Sequence, residues 1–155
     1  MSTIITCIDT NSVSEEVLNF ASLLVKKNNF KLQILAVIEG SHRNLLFGSN
    51  AISNQKHLTI QKHLKKLVDN ICLKNGVNPT ISIREGDIVA EITKEFKMAD
   101  NCKMLIFGKS QNSQSDNIVL PQIIDKIGKK INVPVLIIPE GISKNFGENF
   151  WQELI

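Results

Sequence analysis

Apolar residues in this chain fall into two alternating patterns: short uninterrupted runs, and longer stretches in which they recur every three or four positions. Residues 3–9, Thr-Ile-Ile-Thr-Cys-Ile-Asp, are mostly apolar and β-branched up to a terminal carboxylate, which predicts a parallel strand buried on both faces. Ser12 followed by Glu15 has the spacing of a capping box, and Val17, Ala21, Leu24 and Val25 then keep a helical interval until Asn28-Asn29. Residues 32–38 predict a second strand, closed by Glu39-Gly40. From Gly40 to Asn54, serine, asparagine and glycine interrupt Leu45-Leu46-Phe47 without periodicity, which predicts a mobile or ligand-facing connection.

Leu58, Leu64, Leu67, Val68 and Ile71 mark a long amphipathic helix that ends at Asn75-Gly76, a helix-stop pair. Residues 80–84 make a short third strand. Gly86-Asp87 then supplies a turn and an N-cap for a helix carrying Ile88, Val89, Ile92 and Phe96. Residues 103–107 are strand four. Pro121 suits the first turn of a further helix with Ile123, Ile124 and Ile127 inward, and residues 133–138, Val-Pro-Val-Leu-Ile-Ile, are strand five. This β-α-β-α-β-α-β-α-β order folds, under the right-handed crossover rule, into an α/β unit with an open parallel sheet and helices on both faces. One domain over 1–140 is expected, with 141–155 as a tail. There Phe146, Phe150, Trp151 and Leu154 give an amphipathic segment that either folds back on its own domain or exchanges with a second copy.

At 155 residues, 43% apolar and 21% charged, the chain has ordinary globular composition. No apolar run is long enough to span a bilayer and no signal peptide precedes residue 4, so a cytoplasmic location with no membrane partner is expected. Cys7, Cys72 and Cys102 lie far apart and fit neither a disulfide framework nor a zinc spacing. The net charge of +3 comes partly from Lys56-His57, Lys62-His63 and Lys65-Lys66 on one predicted helix. Without interleaved aromatic residues that helix reads as a solvated face rather than a nucleic-acid surface.

The first strand ending in Asp9, Arg84-Glu85-Gly86-Asp87 opening the third helix, the run from Met104 to Gly108, and the strand Val133-Pro134-Val135-Leu136-Ile137-Ile138 together resemble the universal stress protein family over roughly residues 2–140. The resemblance implies a five-stranded parallel sheet of order 3-2-1-4-5, of the adenine nucleotide alpha hydrolase-like kind. It also implies a homodimer, with residues 133–138 pairing across the dimer axis. Nucleotide-binding members share Gly, two residues, Gly, nine residues, Gly, then Ser or Thr. Laid from Gly108, that pattern meets Gln111, Pro121 and Gln122.

The substitutions have physical weight, because phosphate held at a helix start needs backbone N–H groups and proline has none. Gln111 adds a Cβ where glycine permits close approach, and Asp116 brings negative charge. The expectation is therefore a non-catalytic stress-response protein that works through conformation or an unidentified protein partner, without cofactor or metal. The alternative is an ATP or AMP sensor with a divergent loop, using Asp9 and the backbone near Val37 at the base end, and Gly108, Lys109, Ser110 and Ser113 at the phosphate end.

Other chemistries fail on the residues. Asp9 has no clustered carboxylates for a receiver-type magnesium site, and the absence of tyrosine leaves no aromatic sandwich for a flavin. There is no Gly-x-Gly-x-x-Gly after strand one, no Gly-Lys-Ser/Thr loop and no Gly-x-Ser-x-Gly turn, so His42, His57 and His63 read as surface residues.

Overall fold

A computed structural model describes residues 1–8, 14–39, 49–109, 119–147 and 149–155. β1 (Thr3–Ile8) runs through the middle of a parallel sheet whose order is β3-β2-β1-β4-β5. Its neighbours are β2 (Lys31–Glu39) and β4 (Cys102–Lys109), with β3 (Thr80–Gly86) and β5 (Val135–Pro139) at the edges. Successive β1 residues point to opposite faces. Ile4 and Ile8 enter a core with α1 (Ser14–Asn28) and α2 (Ser49–Leu67). Ile5 and Cys7 enter a second core, which holds Val89 and Ile92 of α3 (Ile88–Met98) and Ile127 of α4 (Val119–Gly128).

The helix stops are local chemistry. Asn29 adopts φ 54° after α1, the Phe30 N–H donates to the Val25 carbonyl at 2.9 Å, and the Asn29 N–H to Lys26 at 3.4 Å. This closes the last turn as a Schellman motif. The same pair of bonds recurs after α2. That helix continues through a π-helical turn, Val68–Cys72, and Gly76 at φ 77° lets the Val77 N–H reach Cys72 at 2.8 Å. At the start of α3 the Asp87 carboxylate accepts the Ala90 N–H at 2.9 Å, the N-cap anticipated from sequence.

Four details depart from expectation. α2 begins at Ser49, inside the stretch read as irregular up to Asn54. Leu58 is 56% exposed; it lies six residues before buried Leu64, about 120° off that face, while half-buried Ile60 at four residues lies on it. Ile124, expected to face inward, is exposed, while Ile127 turns fully inward. β5 starts at Val135, because Pro134 has no N–H for the ladder, although its carbonyl accepts from Leu105 at 3.0 Å.

The tail forms α5 (Ile142–Phe146) and α6 (Phe150–Leu154) and lies along α1. At one end the Glu16 carboxylate accepts the Ile142 N–H at 3.1 Å and the Ser143 hydroxyl at 2.7 Å. In the middle Trp151, 2% exposed, meets Phe20 at 4.7 Å and Phe150 at 4.9 Å. At the other end the Lys27 ammonium donates to the Ile155 carbonyl.

Candidate functional site

Open parallel sheets bind ligands beyond the C-terminal ends of their strands, where the order reverses. Here that is the rim between β1 and β4. β1 and β2 stay paired up to Ile8↔Ala36, and β1 and β4 up to Cys7↔Phe107. Val37 and Gly108 are the next residues of β2 and β4, so both leave the shared core at this rim. Val37 is half-buried, its side chain packed on the core under α3. Gly108 is half-buried and pairs with Ile138; Lys109 is exposed and pairs with Pro139. The Glu140 N–H donates to the Lys109 carbonyl at 2.8 Å, which ties the end of β5 to the end of β4.

Three of the six expected residues, Val37, Gly108 and Lys109, thus stand at the same sheet edge. Asp9, Ser110 and Ser113 lie outside the described residues, as do Ser12 of the expected capping box, Gln111, Asp116 and His42. Pro121 and Gln122 are in α4, with Pro121 the third residue of a helix that begins at Val119. His57 and His63 are exposed on α2.

Helices α3 and α4 each begin on the C-terminal side of a strand. The N-terminus of α3, which emerges there, is already occupied by the Asp87 carboxylate. In the first turn of α4, where three backbone N–H groups would otherwise face a ligand, Pro121 removes one. Glu39, Glu85 and Glu140 sit at or near the C-terminal ends of their strands, and Lys109 ends β4. Among the described residues no group of three or more His, Cys, Asp or Glu is arranged to hold a metal ion, and no helix is long and apolar enough to cross a membrane.

Sequence reasoning missed a buried polar cluster beneath α3. The Glu95 side chain, 7% exposed, accepts from Gln33 at 2.8 Å, from the Ser82 hydroxyl at 3.0 Å and from the Arg84 Nε at 2.6 Å. Gln33 also donates to Ser82 at 2.8 Å, and Glu91 lies 3.8 Å from Arg84. The signal was present: Glu95 falls three residues after Ile92 on the apolar stripe of α3. With both Glu95 oxygens engaged by donors from β2 and β3, the cluster pins α3 to those strands.

The thiols are similarly quiet. Burial raises the Cys7 thiol far above its ordinary range, with Cys102 and Glu95 adding to the effect. Burial also pushes Cys72 up to about 11 and raises Cys102, the latter against two backbone hydrogen bonds that favour the thiolate. None is a free nucleophile at neutral pH.

Residues 1–139 match the model of the universal stress protein family. A search among curated proteins finds no match. Among solved structures, the universal stress protein UspA from Lactobacillus plantarum superposes with a TM-score of 0.72 at 13% identity, over 88% of this chain and 97% of that one. A universal stress family protein from Burkholderia pseudomallei gives 0.68 at 13% identity, over 88% and 95%. The universal stress protein from Archaeoglobus fulgidus in complex with dAMP gives 0.64 at 16% identity, over 89% and 98%. At such identities these likenesses establish the fold alone.

Proposed function

We propose that this chain, which belongs to the universal stress protein family, is a non-catalytic stress-response protein that acts as a homodimer through partners or conformation and does not bind ATP in the usual way. The observation that carries the reading is Pro121 in the first turn of α4, where a phosphate-binding helix needs its N–H groups. The self-capped start of α3 acts in the same direction. Three free cysteines fit a reducing, cytoplasmic setting.

For the dimer, β5 is a sheet edge with unpaired backbone groups on one side, and Val135 on it and Ile124 on the neighbouring α4 are both exposed. Pairing β5 with a second copy covers that edge. Isothermal titration with ATP, ADP and AMP tests the main claim: no binding is expected, and micromolar affinity for any of the three overturns it. Sedimentation equilibrium tests the dimer, which a Val135→Lys substitution should convert to monomer.

A second reading is favoured by one comparison, the dAMP complex of the Archaeoglobus fulgidus protein. In it Asp9 and the backbone near Val37 hold a base while Gly108, Lys109, Ser110 and Ser113 hold phosphate. The protein would then carry nucleotide through purification, visible as absorbance of the supernatant after denaturation. A supernatant free of nucleotide counts against it.

A further inference from the structure

Helix α2 carries Lys56, Lys62, Lys65 and Lys66 and no aspartate or glutamate. The chain has 18 basic residues against 15 acidic ones; without those four lysines it has 14 against 15, so the positive excess resides on this one helix. All four side chains are exposed, and none forms an ion pair with a described carboxylate. Asp69, in the turn that follows, makes none with them. A helix that merely faces water gains from carboxylates one turn away from its lysines. α2 instead sets Lys62 against Lys65 and Lys66 at three and four residues, like charges that cost stability.

Leu58 is the second feature. It is 56% exposed, four residues before Lys62 and seven before Lys65, on the same ridge of the helix. The opposite face of α2 is fixed to the domain by buried Leu64 and Leu67, so the ridge is presented outward as a rigid line. Lys56 lies four residues before Ile60 and so off this ridge, which from Leu58 to Lys66 extends about 12 Å. An apolar side chain held out among unpaired ammonium groups matches a surface that offers both anions and hydrocarbon.

We propose that this ridge docks the protein, peripherally and reversibly, on a bilayer of anionic lipids. The charge is all lysine, a hydrated point charge suited to a diffuse layer of headgroups rather than to the bidentate contacts arginine makes with bases or partner carboxylates. Lysine is also depleted from protein–protein interfaces, and no aromatic residue stands on the ridge to stack on nucleotides. Each lysine near an anionic leaflet strengthens adsorption about fivefold, and the three on the ridge, Lys62, Lys65 and Lys66, together give about a hundredfold, an attachment that salt reverses. This docking is independent of whether the rim binds nucleotide.

The test is co-sedimentation of the full chain with vesicles of phosphatidylcholine, with and without phosphatidylserine. Binding is expected only with phosphatidylserine, and is expected to vanish between roughly 0.1 and 0.5 M salt. Lys62→Gln with Lys65→Gln should weaken it about 25-fold, and Leu58→Gln about fivefold with no change in the salt slope. Lys126→Gln with Lys129→Gln, in the last turn of α4 and just beyond it, is the control and should leave it unchanged. Three results overturn the proposal: equal binding to neutral vesicles, equal weakening by the α4 control, or no vesicle binding. So does tighter salt-sensitive binding of duplex DNA or polyglutamate than of the anionic vesicles, since either assigns the ridge to a different partner.

Discussion

Trp151 offers the sharpest test of how the tail is held. Its indole is 2% exposed, edge-on to Phe150 and tilted against Phe20, and its Nε1–H is buried without a hydrogen-bond partner among the described residues. Two opposing terms follow. Truncating a buried tryptophan to alanine costs about 3–5 kcal/mol in lost transfer energy and cavity. An unsatisfied buried donor already costs about 1–3 kcal/mol in the native protein, and alanine removes that burden. Trp151→Ala should therefore destabilise by about 2 kcal/mol, the difference between the middles of the two ranges.

Trp151→Phe behaves differently. It loses part of the bicycle, on the order of 1–2 kcal/mol, but keeps an aromatic ring and deletes the unpartnered donor, so it should fall within about 1 kcal/mol of the parent. Urea unfolding followed by far-ultraviolet circular dichroism reads both variants, since neither retains tryptophan, and an unchanged m-value certifies that stability alone has shifted. The parent has one tryptophan and no tyrosine, so its fluorescence independently reports a buried indole that reddens on unfolding. The reasoning is refuted if Trp151→Phe costs as much as Trp151→Ala, for then the N–H has a partner. It is equally refuted if Trp151→Ala is silent, for then the tail does not rest on Phe20.

Two further outcomes are expected. Glu95→Ala should cost about 2–3 kcal/mol, below the range for a fully buried pair because Arg84 is 21% exposed; a double-mutant cycle with Arg84→Ala should show coupling of at least about 1 kcal/mol, and strict additivity would sink the cluster. For Cys72, the folded thiol holds its proton up to about 11 while the unfolded one releases it near the ordinary 9.0, so stability is full below that lower value and falls as pH rises between the two. Cys72→Ala should shrink this alkaline loss, read as the difference in urea midpoint across the window, and native Cys72 should resist labelling by a thiol reagent at neutral pH. An unchanged alkaline slope counts against the assignment.

How far the sequence carried the structure depends on whether a residue's role was decided locally. The first four strands, the Asp87 cap and the two helix stops at Asn29 and Gly76 each depend on a few adjacent residues, and appear where the pattern put them to within a residue or two. Leu58 went wrong because a stripe was read by composition rather than by angle: six residues from Leu64 is not a helical repeat, and Ile60 was the correct member. The Glu95 cluster went unseen for a different reason. Its donors come from β2 and β3, 62, 13 and 11 positions away along the chain, and only the folded register Gln33↔Thr80 and Val37↔Arg84 brings them under one carboxylate.

The same distinction governs the rim. Pro121 and the substituted glycine pattern are local facts, and they speak against phosphate at α4 whatever the surroundings. Val37, Gly108 and Lys109 come from β2 and β4 and share one end of the sheet only because β1 pairs with both strands. On the proposed reading, Gln111→Gly, Pro121→Gly and Gln122→Ser together restore the glycine pattern and its backbone donors, and should bring ATP binding that isothermal titration detects. A triple variant that folds and still binds none refutes the assignment of the loss to these three residues.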